Sequence, residues 1–447
     1  MMKLSACILL AICFFNNAYA TTSYYVSPNG SDGNSGKSQA KAFQSLQKGA
    51  DTAQPGDTVF VLNGTYNTTS GAILNIKNSG REGAYITIKA LKGHKPKITA
   101  AGNVWNAVSV NGSYILLEGL ELAGNNANLT YEGAMAVYNE HINGGTNYAY
   151  YAGYNTNAIT IGGPKKESRF PHHIIVRHCT VHDFPGGGIN AIQADYLTIE
   201  NNVVFNNAWY MMYAGSGISI LTPFNSDRIT TYKNFIRNNV VSNNKTTVPW
   251  AQLKRLSDGN GIIIDVNQHA YDNQDAASAT ADQAYTGRTL VENNVSFNNG
   301  GSGIHSFKAD HVDIINNTAY HNGTVMNYPD IYTNQCHDVN IINNIMFARE
   351  GGQCNSMPKN PTEIYANNIY FNGKVGFKGK NDIEADPQFV NPSTDHAKAD
   401  FKVKKGSPAI DQGSQVNGQY SLKDILGISR PKGAAPDRGA YECTDCQ

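Results

Sequence analysis

"LTIENNVVFNN", residues 197–207, is one copy of a phrase that decides the fold. A short apolar strand runs into an Asn-Asn pair, a second strand follows, and another Asn pair closes the phrase. It recurs as "NFIRNNVVSNN" at 234–244, "TLVENNVSFNN" at 289–299, "DIINNTAYHNG" at 313–323, "NIINNIMFARE" at 340–350 and "EIYANNIYFNG" at 363–373. An earlier copy, "IIVRHCTVHDF" at 174–184, has Cys179 where the others have the second Asn. From Cys179 the steps are 23, 37, 55, 23, 27 and 24 residues. A period near 23 with β-type segments and no helical periodicity predicts a solenoid whose coils bury their faces on their neighbours. Asn suits the turns because it tolerates the left-handed conformation and can hydrogen-bond to the next Asn along the stack. The Asn pairs are therefore read as scaffold.

A second phrase precedes the first in each coil: "GGGINAIQ" at 186–193, "GSGISILT" at 215–222, "GNGIIIDV" at 259–266 and "GSGIHSFK" at 301–308. Alternation along a strand then places Ile189, Ile218, Ile262 and Ile304 inward, with Ala191, Ile220, Ile264 and Ser306 two residues on. The outward set is Asn190, Ser219, Ile263 and His305, then Ile192, Leu221, Asp265 and Phe307. On this reading Ile263 is an exposed apolar residue, and Asp265 stands between the apolar Leu221 and Phe307. That setting should raise its pKa and suit it to general acid or base work. His305 lies diagonally adjacent, and Lys308 ends the same strand. These three are the catalytic candidates; a plain Asp265–Lys308 salt bridge is the alternative. Asp258, before Gly259, is a secondary candidate. On an extended chain it stands on the order of 20 Å from Asp265, too far to pair.

The 37- and 55-residue steps carry long loops on this side, where a rigid scaffold usually places function. Trp209, Tyr213 and Trp250 offer flat faces for sugar rings, and Lys254, Arg255 and Arg288 could hold carboxylates or sulfates. These six form the expected substrate-binding set. Asp272, Asp275 and Asp282 could hold a calcium ion, although their spacing matches no compact calcium loop. No cofactor is otherwise expected.

The first 20 residues read as a secretory signal, with Lys3, an apolar run and Ala18-Tyr19-Ala20. A secreted or periplasmic protein is expected, with no membrane span. The balance of 35 Lys and Arg against 35 Asp and Glu gives no argument for nucleic acid. A monomer is expected. Of the cysteines, Cys443 and Cys446 form a C-x-x-C, Cys336 and Cys354 could pair, and Cys179 should be buried and free. One domain is expected over residues 21–447, with an N-terminal cap to about residue 60 and a loop-rich C-terminal cap over 380–447. "AFQSLQKGADTA" at 42–53 reads as the capping helix.

"YYVSPNGSDGNSG" (24–36), "GDTVFVLNGTY" (56–66), "GSPAIDQG" (406–413) and "PDRGAYE" (436–442) resemble the ends of secreted right-handed parallel β-helix proteins of the pectate-lyase-like superfamily. "SDGNG" at 257–261, with "VENNVSFNNGGSGI" at 291–304, is similar to the catalytic coil of family 9 polysaccharide lyases. That resemblance implies a strand S-D-G-N-G-F-K, whose Lys takes the proton alpha to a uronate carboxylate, and a calcium ion held by aspartates of the preceding coil. Here the Lys position is Ile263 and the preceding coil reads "AGSGIS" (214–219), so neither group carries over. A lyase acting on a uronic-acid polysaccharide is the first expectation. An inverting glycoside hydrolase and a non-catalytic glycan-binding protein follow.

Overall fold

The computed structural model describes residues 21–162, 170–268, 284–415 and 422–446. Its strands wind into a right-handed parallel β-helix of three long sheets. One has 11 strands, from Ser23–Val26 to Glu363–Ala366, and a second has 8, from Leu74–Ile76 to Ile331–Asn334. The third has 11, from Gly64–Ser70 to Ile383–Glu384. The Gly-x-Gly-Ile strands belong to the eight-stranded sheet in the expected register: Ile189, Ile218, Ile262 and Ile304 pair in succession, and Ile331 continues them. All five are fully buried.

Each Asn pair divides its labour. The first Asn makes the turn with a left-handed backbone: φ is 56° at Asn201, 56° at Asn238, 54° at Asn293 and 55° at Asn316. The second turns inward and joins a buried chain of amides. The backbone and side-chain N–H groups of Asn202 both donate to Asn239 Oδ1 at 3.0 Å. Asn239 donates likewise to Asn294, and the chain runs on through Asn317, Asn344 and Asn368. A parallel chain links Asn207, Asn244, Asn299 and Asn322. The aligned amides polarise one another, which strengthens each bond. Both chains end on a carboxylate, Asp382 and Asp330. An acceptor without an N–H suits the last place, where no further amide waits to receive one. At the opposite end stands Cys179, whose N–H donates to Asn202 Oδ1; burial pushes its thiol up to about 12.

Helix α1 (Leu46–Thr52) starts at Ser45, whose hydroxyl accepts from the Lys48 N–H, and it packs on the first coils. A Cβ on Gly49 would come within 2.8 Å of both Val26 and Val59, so the close approach requires glycine there. At the other end the chain does more than close the solenoid. It returns along the third sheet, where Phe389, Phe401 and Val403 pack on Phe297, Tyr320 and Ile345. Asn293, Asn316 and Asn343 donate side-chain bonds to the Lys423, Asp437 and Ser414 carbonyls of this segment. Cys443 and Cys446 are bonded to each other. Cys336 and Cys354 are not, contrary to the pairing considered above: both are buried, and their thiols donate to the carbonyls of Ser306 and Phe371. Among the described residues no helix is long and apolar enough to cross a membrane.

One insertion was not anticipated. Between strands Glu121–Ala123 and Asn157–Ile161 the chain forms helices α2 (Tyr131–Ile142) and α3 (Tyr148–Ala152). Ala134, Val137, Tyr138 and Tyr151 pack on Met212 and Val248, from the two long loops. The insertion thus braces those loops over the eight-stranded sheet.

Candidate active site

A cavity of about 560 Å3 opens on the outward face of the strands Ile218–Leu221, Ile262–Asp265, Ile304–Phe307 and Ile331–Asn334. Its floor is Ile263, Asp265, His305, Phe307 and Tyr332, and its rim includes Asp258, Arg255, Trp250, Tyr213 and Lys308. Asp265 pairs in register with Leu221 on one side and Phe307 on the other, as the alternation predicted. Burial pushes its carboxyl well above the ordinary carboxylate range; the charge of Asp258 pushes it further and Lys308 opposes.

That effect of Asp258 corrects the distance argument. The strand is only Ile262–Asp265, and Asp258 (φ 60°) and Gly259 (φ 69°) both take the left-handed conformation. The chain therefore folds back instead of extending, and Asp258 joins Asp265 on the same cavity. Burial raises the Asp258 carboxyl to about 6, against a hydrogen bond donated by the Ser257 hydroxyl at 2.8 Å.

Two outward residues are not exposed. Ile263 retains 3 % of its surface and His305 6 %, because the loops roof the strand face. The His305 ring stacks on Tyr332, with centroids 4.5 Å apart and planes at 15°, and Tyr328 meets it edge-on. Neither ring nitrogen has a hydrogen-bond partner among the described residues. Burial lowers its pKa to about 3, so the ring is neutral. A buried neutral imidazole whose two nitrogens find no protein partner is uncommon, and it lies against the cavity floor.

The binding candidates separate. Tyr213, Trp250 and Arg255 line the cavity, while Lys254 lines an adjacent one that also includes Tyr213 and Trp250. Trp250 and Arg255 are held by a tight loop, in which the Trp250 N–H donates to the Arg255 carbonyl. Trp209 lines neither: its Nε1 donates to the Asn243 carbonyl, and Lys245 covers its ring at 4.4 Å. Arg288 lies on a different sheet. It donates to both carboxylate oxygens of the buried Asp313, at 2.7 and 2.6 Å, and also pairs with Asp338. Asp313 is fully buried and also receives bonds from Tyr232 and Asn340, so Arg288 is committed to the scaffold. Arg288→Ala is expected to cost about 3–5 kcal/mol by stranding that carboxylate. The loss should appear in the denaturation midpoint, with KM for any substrate little changed.

Two cavity residues escaped the sequence reading, Tyr328 and Tyr332. The strand "IYTN" (331–334) continues the Gly-x-Gly-Ile series without its glycines, and only the inward Ile331 signalled it. Thr222 (φ 47°) and Val266 (φ 45°), also on the cavity, are β-branched residues in the left-handed conformation. Such strain costs of order 1–3 kcal/mol each and collects at functional sites.

Asp272, Asp275 and Asp282 lie outside the described residues. Among those described, no three His, Cys, Asp or Glu gather to hold a metal ion. The coil where the resemblance implies calcium-binding aspartates offers Ser216 and Ser219, already engaged with Asn260 and Asn190. Calcium sites are usually built around carboxylates with further oxygen ligands, and this pair of engaged hydroxyls does not fit one.

A family model described as the Pel9A-like, right handed beta helix region matches residues 24–344. The chain belongs to this Pel9A-like family. Pectate lyase L of Paenibacillus polymyxa (strain SC2) is 26 % identical over 317 residues, covering 66 % of this chain and 67 % of that protein. The crystal structure of pectate lyase Pel9A superposes with a TM-score of 0.54 at 17 % identity, covering 95 % of this chain and 97 % of that one. At that identity the superposition shows the shared fold. In this Pel9A-like chain two carboxyls, a neutral histidine and two cations gather around the strand Ile262–Asp265.

Proposed function

We propose that this chain cleaves a uronate-containing polysaccharide in the cavity above Asp265, by β-elimination. The observation that carries the reading is the pair of recessed carboxyls, Asp258 and Asp265, with raised proton affinities beside the cations Arg255 and Lys308. Family membership and the pectate lyase relative support the substrate class.

The chemistry follows from the two environments. Burial raises Asp258 to about 6 and Asp265 well above the ordinary carboxylate range, and the charge of Asp258 further favours the protonated form of Asp265, which suits Asp265 to the acid's part and Asp258 to the base's. Arg255 and Lys308 would hold the uronate carboxylate and withdraw charge from the adjacent carbon. Asp258 takes the proton alpha to the carboxylate, and the released pair forms the carbon–carbon double bond. The bond to the glycosidic oxygen breaks, and that oxygen receives the proton of Asp265. Solvent then returns a proton to Asp265 and removes one from Asp258. His305 would donate to or accept from a sugar hydroxyl on the floor.

The same carboxyl pair favours one second reading, hydrolysis with Asp265 as acid and Asp258 as the base that activates water. The product separates them. Signal-free protein is incubated with acidic and neutral polysaccharides while absorbance of unsaturated uronate and new reducing ends are followed together. Elimination predicts both signals in step on acidic substrates. Reducing ends without absorbance would establish hydrolysis, and silence on every substrate would leave a glycan-binding protein.

A further inference from the structure

We propose that Tyr328 is a further catalytic residue of this site, whose phenol hydroxyl donates a hydrogen bond to the uronate carboxylate as negative charge builds on it. This rests on the reading of the cavity as the place of elimination. The mount of Tyr328 is the first observation. It sits on the loop between strands Thr318–Tyr320 and Ile331–Asn334 and belongs to none of the apolar clusters of the described residues. Polar bonds from the neighbouring coils hold the loop instead. The N–H groups of Val325 and Met326 donate to the Gly300 carbonyl at 2.9 and 3.1 Å. Arg349 donates to the Gly323 carbonyl and to Asn327 Oδ1, at 3.1 and 2.6 Å, and Gln353 donates to the Asn327 carbonyl at 3.0 Å. At Gly323 (φ 71°) a Cβ would come within 2.3 Å of the Tyr328 carbonyl oxygen, so this close approach requires glycine. A group mounted in this way is in place before a ligand arrives.

The second observation is what surrounds it. Tyr328 lines the cavity with Arg255 and Asp258, and its ring leans on those of His305 and Tyr332, with centroids 5.9 and 5.5 Å away. Among the described residues its hydroxyl has no hydrogen-bond partner. Burial pushes the phenol upward, the charge of Asp258 and the neighbouring Tyr332 push it further, and Arg255 opposes. The hydroxyl therefore keeps its proton at neutral pH and is a donor. With Asp258 as the base, the carbon that loses its proton lies beside Asp258, and Arg255 holds the carboxylate on that carbon. A donor next to both groups meets this carboxylate while the pair from the broken C–H bond spreads onto its oxygens. That pair then forms the double bond as the glycosidic bond breaks. The phenol keeps its own proton throughout, so it adds no atom to the reaction. Its bond strengthens as the charge grows, which favours the transition state over the bound substrate.

Tyr328→Phe keeps the ring and its neighbours and removes the hydroxyl alone. Kinetics of the full chain are followed on polygalacturonate and alginate by the absorbance of unsaturated uronate. The variant is expected to lower kcat about 10²–10³-fold, the usual worth of one such donor, with KM little changed. Tyr328→difluorotyrosine keeps both shape and hydroxyl but ionises at lower pH. Its kcat should fall on the alkaline side at a correspondingly lower pH than that of the unsubstituted protein, a shift that a packing role would not produce. This second variant decides the matter even if Tyr328→Phe does not fold. Full kcat in Tyr328→Phe, a loss confined to KM, or an alkaline limb that fluorination leaves unmoved would overturn the role. The unsubstituted protein separates this role from the reading on which it rests. Unsaturated product from it, with Tyr328→Phe equally active, refutes the part of Tyr328 alone and leaves elimination standing. No unsaturated product from it refutes elimination, and the role of Tyr328 with it.

Discussion

Asp265→Asn is expected to lower cleavage about 10²–10⁴-fold, the usual worth of a positioned acid or base, while making the protein more stable at pH 7–8. The second half follows from the sign of the shift. The folded chain holds the Asp265 proton far above the pH at which the unfolded chain releases it, about 3.9. Folding stability is therefore full below about pH 4 and falls as pH rises toward the folded pKa. Asparagine cannot ionise, so it removes that loss. The gain should vanish below pH 4. Asp258→Asn should behave in the same direction. Denaturation midpoints at pH 4 and pH 8, measured beside activity, check both. An inactive variant that is also less stable at pH 8 would show that the carboxylate is ionised and holding structure, and the acid role would fall.

Asn239→Ala should be among the most damaging single changes in the scaffold, costing about 3–5 kcal/mol. It removes the acceptor of two buried N–H bonds from Asn202, and the donor to the Ile199 carbonyl and to Asn294 Oδ1. Each stranded buried group costs about 1–3 kcal/mol. Asn239→Asp should fare no better, since a carboxylate there keeps the acceptor but faces Asn294 Oδ1 with nothing to donate. Asp382 stands at the chain's end, where this conflict does not arise. Because coils of a solenoid can unfold in parts, the midpoint should be followed by circular dichroism and by tryptophan fluorescence. A shift of less than 1 kcal/mol by both would mean that water replaces the missing amide.

Much of this was legible residue by residue. The repeat spacing announced coils, and the two-residue period of a strand placed Asp265 between Leu221 and Phe307. Helix α2 was legible but unread: Thr130 caps it, and Ala134, Val137, Tyr138 and Ile142 recur at helical spacing ahead of Asn143-Gly144. Asp258 was misjudged because the extended-chain estimate ignored the left-handed turn at Asp258 and Gly259.

The sequence alone therefore determined the coil, its register and the faces of each strand, because these depend on short periods and on a constant spacing between stacked strands. It could not say that Ile263 and His305 would be roofed, that Arg288 would turn to Asp313, or that Asp258 would meet Asp265. Those outcomes depend on the paths of long loops, set by packing between residues such as Val137 and Val248 that lie far apart along the chain. No local period encodes such contacts; they exist only once the coils have stacked.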